Sequence, residues 1–131
     1  MTGEERAVIE YRLARAREAL AEAKVLLNSG HVNTYVNRLY YACYYAASAL
    51  LLSEGVATTR HSQLRSLLHQ RFVKPGTVSG EMGRHFDRLF DSRQKGDYAD
   101  FTRFAAEDVA PWLDETRAFV EHVQRLLGVS A

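Results

Sequence analysis

Three short stretches hold residue types that could do chemistry. The first is Asn37-Arg38 with Tyr41, three positions on, which puts a guanidinium and a phenol on nearly one face of a helix. Arg38 can serve an anion or phosphate site there, or it can simply pair packed helices while its stem covers apolar surface. The second is Arg93-Gln-Lys-Gly-Asp-Tyr98, where two cations, a glycine and an acid beside a phenol form a compact group able to hold a phosphate or ribose. Its structural alternative is a helix end, with Arg93 and Lys95 complementing the negative terminus and Gly96 capping it. The third is Thr59-Arg-His-Ser62 at a helix start. His61 or Ser62 can cap that helix, or a neutral imidazole beside an arginine can act as a general base or phosphate contact.

Other chemistries are not written into the chain. A P-loop, a dinucleotide glycine fingerprint, a zinc-protease helix and a cysteine zinc cluster are all absent from the sequence. The histidines at 31, 61, 69, 85 and 122 are scattered. His61 and His69 stand two helical turns apart, roughly 12 Å, too far to share a metal without other ligands. Neither metal nor cofactor is expected. The lone cysteine, Cys43, sits in an apolar run and reads as a packing residue in a reducing compartment. Seventeen basic residues against sixteen acidic ones give no whole-chain attraction to nucleic acid, although a local patch remains open. Met1-Thr-Gly-Glu-Glu-Arg6 lacks the pattern of a secretory signal, so a cytoplasmic location is expected.

These residues must be positioned by helices. Between Arg38 and Glu54 fifteen consecutive residues carry no charge, including four tyrosines and several alanines, which predicts a central helix contacted on nearly every face. The run is too short and too tyrosine-rich to span a membrane. Ahead of it, Thr2 and Glu5 stand in capping-box register, and Ala7, Val8, Tyr11, Ala14, Leu20, Ala23, Leu26 and Leu27 predict an amphipathic helix ending near Gly30. A third helix is expected from about Ser62 to Val73, with Leu64, Leu67, Leu68 and Phe72 inward. Ser79 can cap a fourth, running to about Lys95 and burying Met82, Phe86, Leu89 and Phe90. The last helix begins between Asp100 and Ala105, with Pro111 bending it or marking its true start. No segment alternates like a strand. At 131 residues the chain is predicted to be one all-α domain, residues 1–131, an antiparallel bundle of five helices.

The combination of Asn37-Arg-Leu-Tyr-Tyr-Ala-Cys-Tyr-Tyr-Ala-Ala47, Arg60-His-Ser62, Phe72-Val-Lys-Pro-Gly76 and Arg93-x-x-x-Asp-Tyr98 resembles the HEPN domain family, closest to small free-standing prokaryotic members paired with minimal nucleotidyltransferases. The resemblance implies a homodimer with a shared groove, and a toxin–antitoxin-like pairing with a nucleotidyltransferase protein. Many members are metal-independent ribonucleases with an Arg-x(4 to 6)-His site. Carried over, the arginine falls on Arg93 and the histidine slots on Tyr98, Ala99 and Asp100, none of which is histidine. A phenol with a pKa near 10 is a poor base at neutral pH. Arg117-x4-His122 matches literally, but the two side chains point about 140° apart on a helix.

The resemblance therefore implies a nucleotide- or RNA-associated module, not an efficient nuclease, with Arg38, Tyr41, Arg93, Asp97 and Tyr98 lining the groove and Tyr98 a candidate acceptor of a nucleotide monophosphate. Two alternatives stay open. One is a ribonuclease using Arg93 with His61, and the other is a structural dimerisation bundle.

Overall fold

A computed structural model describes residues 1–98 and 100–129, the side chain of Tyr98 excepted. In chain order the helices are α1 (Gly3–Asn28), α2 (Val32–Leu52), α3 (His61–Leu68) continued by a π turn (His69–Val73), α4 (Gly80–Tyr98), a single turn α5 (Ala106–Val109) and α6 (Trp112–Leu127). Five principal helices form the expected all-α bundle. No strand occurs among the described residues, and no helix there is long and apolar enough to cross a membrane.

The ends of the helices follow local chemistry. Thr2 accepts from the Glu5 N–H at 3.0 Å, and the Glu5 carboxylate accepts from the Thr2 N–H at 2.9 Å, closing the capping box of α1. Gly30, at φ 80°, turns the chain directly into α2 and makes an antiparallel hairpin. The Ser79 hydroxyl accepts from the Met82 N–H at 3.1 Å at the start of α4. Pro111 is the N-cap of α6, so it marks the true start of that helix and does not bend it. The Tyr35 hydroxyl, deep in α2, donates to the Val109 carbonyl at 2.8 Å and fixes the α5–α6 corner.

α2 is the axis of the bundle and packs against α1, α3, α4 and α6. Its small residues Ala42, Ala46, Ala47 and Ala49 are fully buried, which lets the neighbouring helices approach. It is not covered all round, however. Asn37, Arg38, Tyr41, Tyr44, Tyr45 and Ser48 form a half-buried stripe at three- and four-residue steps.

Two expected features are corrected. The inward face of α1 is Ile9, Leu13, Ala16, Ala19, Leu20 and Ala23, while Ala7 and Val8 are exposed and Tyr11 keeps 61% of its surface in solvent. Leu20 and Ala23 fit both registers, but the bulk of Ile9 and Leu13 decides which face turns inward. The fourth helix does not stop at Lys95, and Gly96 does not cap it. α4 runs through Gly96 to Tyr98, and a Cβ placed on Gly96 would meet Phe104 Cε2 at 3.0 Å. Glycine is there for close packing against the following loop.

Candidate functional site

The tyrosine stripe of α2 is the floor on which the candidate residues meet. Tyr40 faces inward from α2, and its buried ring contacts Tyr41 edge-on at 5.3 Å between centroids. His61, the first residue of α3, leans over this group. Its ring stacks on Tyr44 at 4.5 Å and lies 5.7 Å from Tyr40, whose hydroxyl meets His61 Nδ1 at 2.6 Å. The expectation that His61 or Ser62 caps α3 is corrected here. Arg60 holds the N-cap position without a side-chain cap, and Thr58 organises the turn by accepting from the Arg60 N–H at 3.1 Å.

Arg93 reaches the same floor from α4. Only 7% of its surface is exposed, and its guanidinium carbon lies 4.9 Å from the Tyr40 ring centre and 5.8 Å from that of Tyr41. One nitrogen, Nη1, is 3.5 Å from the Tyr41 hydroxyl and 3.9 Å from Asp97 Oδ2, one helical turn along. Asp97 in turn accepts from Asn37 Nδ2 at 2.8 Å, which ties the end of α4 to the start of α2. The alternative in which Arg93 complements the negative end of its helix is thereby corrected, because α4 continues past it to Tyr98 and its side chain is buried. Arg38 stands over the Tyr41 ring at 5.4 Å and pairs with Glu22 of α1 at 3.4 Å.

Electrostatics follow from this packing. Burial pushes the Tyr40 phenol well above its ordinary pKa, so it stays protonated. Burial and then the nearby Arg93 charge push the His61 imidazole below 6.5, so it is neutral at pH 7. When the Tyr40 oxygen accepts from Nδ1–H, Nε2 keeps a free lone pair and can take a proton. When Tyr40 donates to Nδ1, Nε2–H is a donor. The cluster thus offers a neutral imidazole, a fixed positive charge and aromatic faces, which is equipment for a phosphate and a ring.

Sequence reasoning chose Arg38, Tyr41, His61, Arg93 and Asp97, and the fold brings all five to one end of the α2–α4 contact. Tyr98 ends α4, but its side chain lies outside the described residues, as does the whole of Ala99. Tyr40 was missed as the residue joining His61 to Arg93, although the i, i+4 spacing of Tyr40 and Tyr44 could have signalled a shared face. Phe101 was also missed. Its side chain is fully exposed, and its φ of 64° is unusual for a bulky residue. Nearby, Asn33 donates to the Thr102 carbonyl at 2.8 Å and accepts from the Phe104 N–H at 3.1 Å, holding this loop against α2.

Other sequence candidates fall elsewhere. Arg117 pairs with Asp114 at 2.6 Å, whereas His122 Nε2 is 2.8 Å from the Thr77 carbonyl, so the literal Arg-x4-His pair is split. Cys43 is fully buried, and burial raises its thiol pKa far above the reactive range. Among the described residues no group of three or more His, Cys, Asp or Glu is placed to hold a metal ion.

Comparison with known proteins covers most of the bundle. Residues 9–126 match the family model for the HEPN domain. A UPF0332 protein of Thermotoga maritima is 38% identical over 95% of this chain and 94% of its own length. Two proteins of Methanocaldococcus jannaschii named as candidate toxins are 24% and 28% identical, over 91% and 86% of this chain and 81% and 83% of their own lengths.

Proposed function

The chain belongs to the HEPN domain family, and from that premise we propose that it is a nucleotide- or RNA-holding module of a toxin–antitoxin-like pair, dimeric and partnered by a minimal nucleotidyltransferase. One observation carries the reading. A buried arginine, Arg93, is stacked on Tyr40 and Tyr41 and steadied by Asp97 at the surface end of a tyrosine stripe. Arg93 and Arg38 would take the phosphate oxygens, Tyr41 a base or ribose face, and Asp97 a ribose hydroxyl. The relatives named as candidate toxins support the toxin-like side of this reading.

Tyr98 is the proposed acceptor. Its phenolic oxygen would attack the α-phosphorus of a nucleoside triphosphate held by the partner. A new P–O bond forms, the bond to pyrophosphate breaks, and the phenolic proton passes to a base. Native mass spectrometry of the protein from its own source, with peptide mapping of residues 84 to 103, tests this. A dimer carrying a co-purifying nucleotidyltransferase, or a nucleotide-sized adduct on Tyr98, is the expected result. An unmodified and partnerless species without nucleotide affinity would overturn the reading.

A second reading is favoured by the position of His61. His61 and Arg93 both contact Tyr40, which sets a neutral imidazole and a guanidinium around one phenol. The imidazole would take the 2′-hydroxyl proton as that oxygen bonds to the adjacent phosphorus, the bond from phosphorus to the 5′-oxygen breaks, and that oxygen leaves as a hydroxyl with a proton from water, with Arg93 steadying the phosphate charge. Here RNA is cleaved in the presence of chelator, and cleavage is lost in both Arg93→Ala and His61→Ala. Cleavage that survives both substitutions rules this chemistry out. In a purely structural bundle, Arg93→Ala would lower stability without touching nucleotide binding.

A further inference from the structure

A second concavity lies between α1 and α6 and shares no lining residue with the tyrosine cluster. It is a cleft of about 300 Å³ with Leu20, Ala21 and Val120 as an apolar floor. Arg17 and Gln124 both line it, and one nitrogen of each, Arg17 Nη1 and Gln124 Nε2, is buried without a hydrogen-bond partner. Only 5% of the Gln124 surface is exposed. Buried donors are nearly always paired in folded proteins, and two beside one cleft are a shortage of acceptors in one place.

Charge points the same way. Arg17, Lys24, Arg117 and Glu121 line the cleft, and Arg117 is already matched by Asp114 at 2.6 Å. The lining therefore carries an uncompensated positive charge. We propose that this cleft binds a small organic anion, a carboxylate or phosphate group on an apolar ring or chain. The oxygens would accept from Arg17 and Gln124, Lys24 would add its charge, and the apolar part would lie on Leu20 and Val120. An inorganic anion would satisfy the donors but leave the floor uncovered, whereas a neutral apolar molecule would cover the floor and leave the donors unpaired.

The test is a titration of the full-length, ¹⁵N-labelled protein with benzoate, phenyl phosphate and acetate, following the Gln124 side-chain amide. Benzoate or phenyl phosphate is expected to shift that signal saturably, and whichever binds tighter identifies the anionic group. Acetate, lacking the ring, is expected to bind at least about tenfold more weakly. Arg17→Met, which keeps the apolar stem, is expected to weaken the aromatic anion about tenfold or more. Should that variant not fold, Gln124→Leu removes the second donor at similar volume, and its affinity, followed through the backbone amides of Leu20, Val120 and Glu121, carries the same expectation. Three results overturn the proposal: no saturable shift with either aromatic anion, as when only water satisfies the donors; acetate binding equal to benzoate; or affinity unchanged in the folded variant.

Discussion

At the residue scale, Tyr40 does two things at once. Its hydroxyl holds His61 Nδ1 and its ring lies against Arg93, so one side chain couples a weak base to a fixed charge. Burial and the Arg93 charge both disfavour imidazolium, in that order, and an NMR titration is expected to place the His61 pKa below 6.5. In Arg93→Gln the pKa rises but stays under that value, because the burial remains. An unchanged pKa in Arg93→Gln would mean that the two residues are not coupled. The burial of Arg93 was legible in part. It stands at i+4 from Leu89 and i+3 from Phe90, in register with the buried stripe of α4, yet a cation near an apparent helix end invites the solvent-facing reading. No spacing rule could bring His61 to Tyr40, since that contact spans the 53–60 connection and depends on how α3 docks.

At the scale of elements, capping chemistry was the most readable feature. Thr2, Gly30, Ser79 and Pro111 all act where their side-chain or backbone preferences place them. Helix faces were less so. α1 carries apolar residues on more than one side, and the choice between the Val8–Tyr11 face and the Ile9–Leu13 face belongs to the partner helix, which the local sequence does not contain. Gly96 misled for a related reason. Glycine ends helices when the chain must turn, but here it removes a side chain so that Phe104 can approach. The α5–α6 corner depends on a longer-range contact, the Tyr35 hydroxyl on the Val109 and Ala110 carbonyls. Tyr35→Phe strips that donor from a fully buried position while keeping the ring. A loss of about 1 kcal/mol is expected in urea denaturation, with the helical circular dichroism unchanged. An unaltered midpoint would show that the corner is held by packing alone.

At the scale of the whole molecule, stability should depend on pH through a group remote from the candidate site. His85 of α4 is 5% exposed, with Nε2 2.8 Å from Thr116 Oγ1 of α6 and Nδ1 2.6 Å from Arg88 Nη2. A guanidinium can only donate, so Nδ1 is the acceptor and Nε2–H donates to Thr116. Glu115 also lies 3.1 Å from Nδ1, but with that nitrogen unprotonated its carboxylate belongs to the Arg88 ion pair. Burial first and Arg88 second push the His85 pKa from 6.5 down to about 4, and Glu115 offsets only part of this. Above pH 6.5 the folded and unfolded chains both hold this imidazole neutral, and the native arrangement keeps its full stability. As pH falls below 6.5 the unfolded chain takes a proton that the folded one refuses, so stability declines until the folded group titrates near 4. Between about pH 7 and about pH 5 the expected loss from this group is of the order of 2 kcal/mol, read from urea denaturation at each pH. His61 titrates in the same direction, so the decisive comparison is with His85→Gln, whose amide can still donate to Thr116 and accept from Arg88 but cannot titrate. That variant should lose clearly less stability over the same interval. Equal losses in the two proteins would move the acid sensitivity elsewhere and leave the α4–α6 contact without a titrating group.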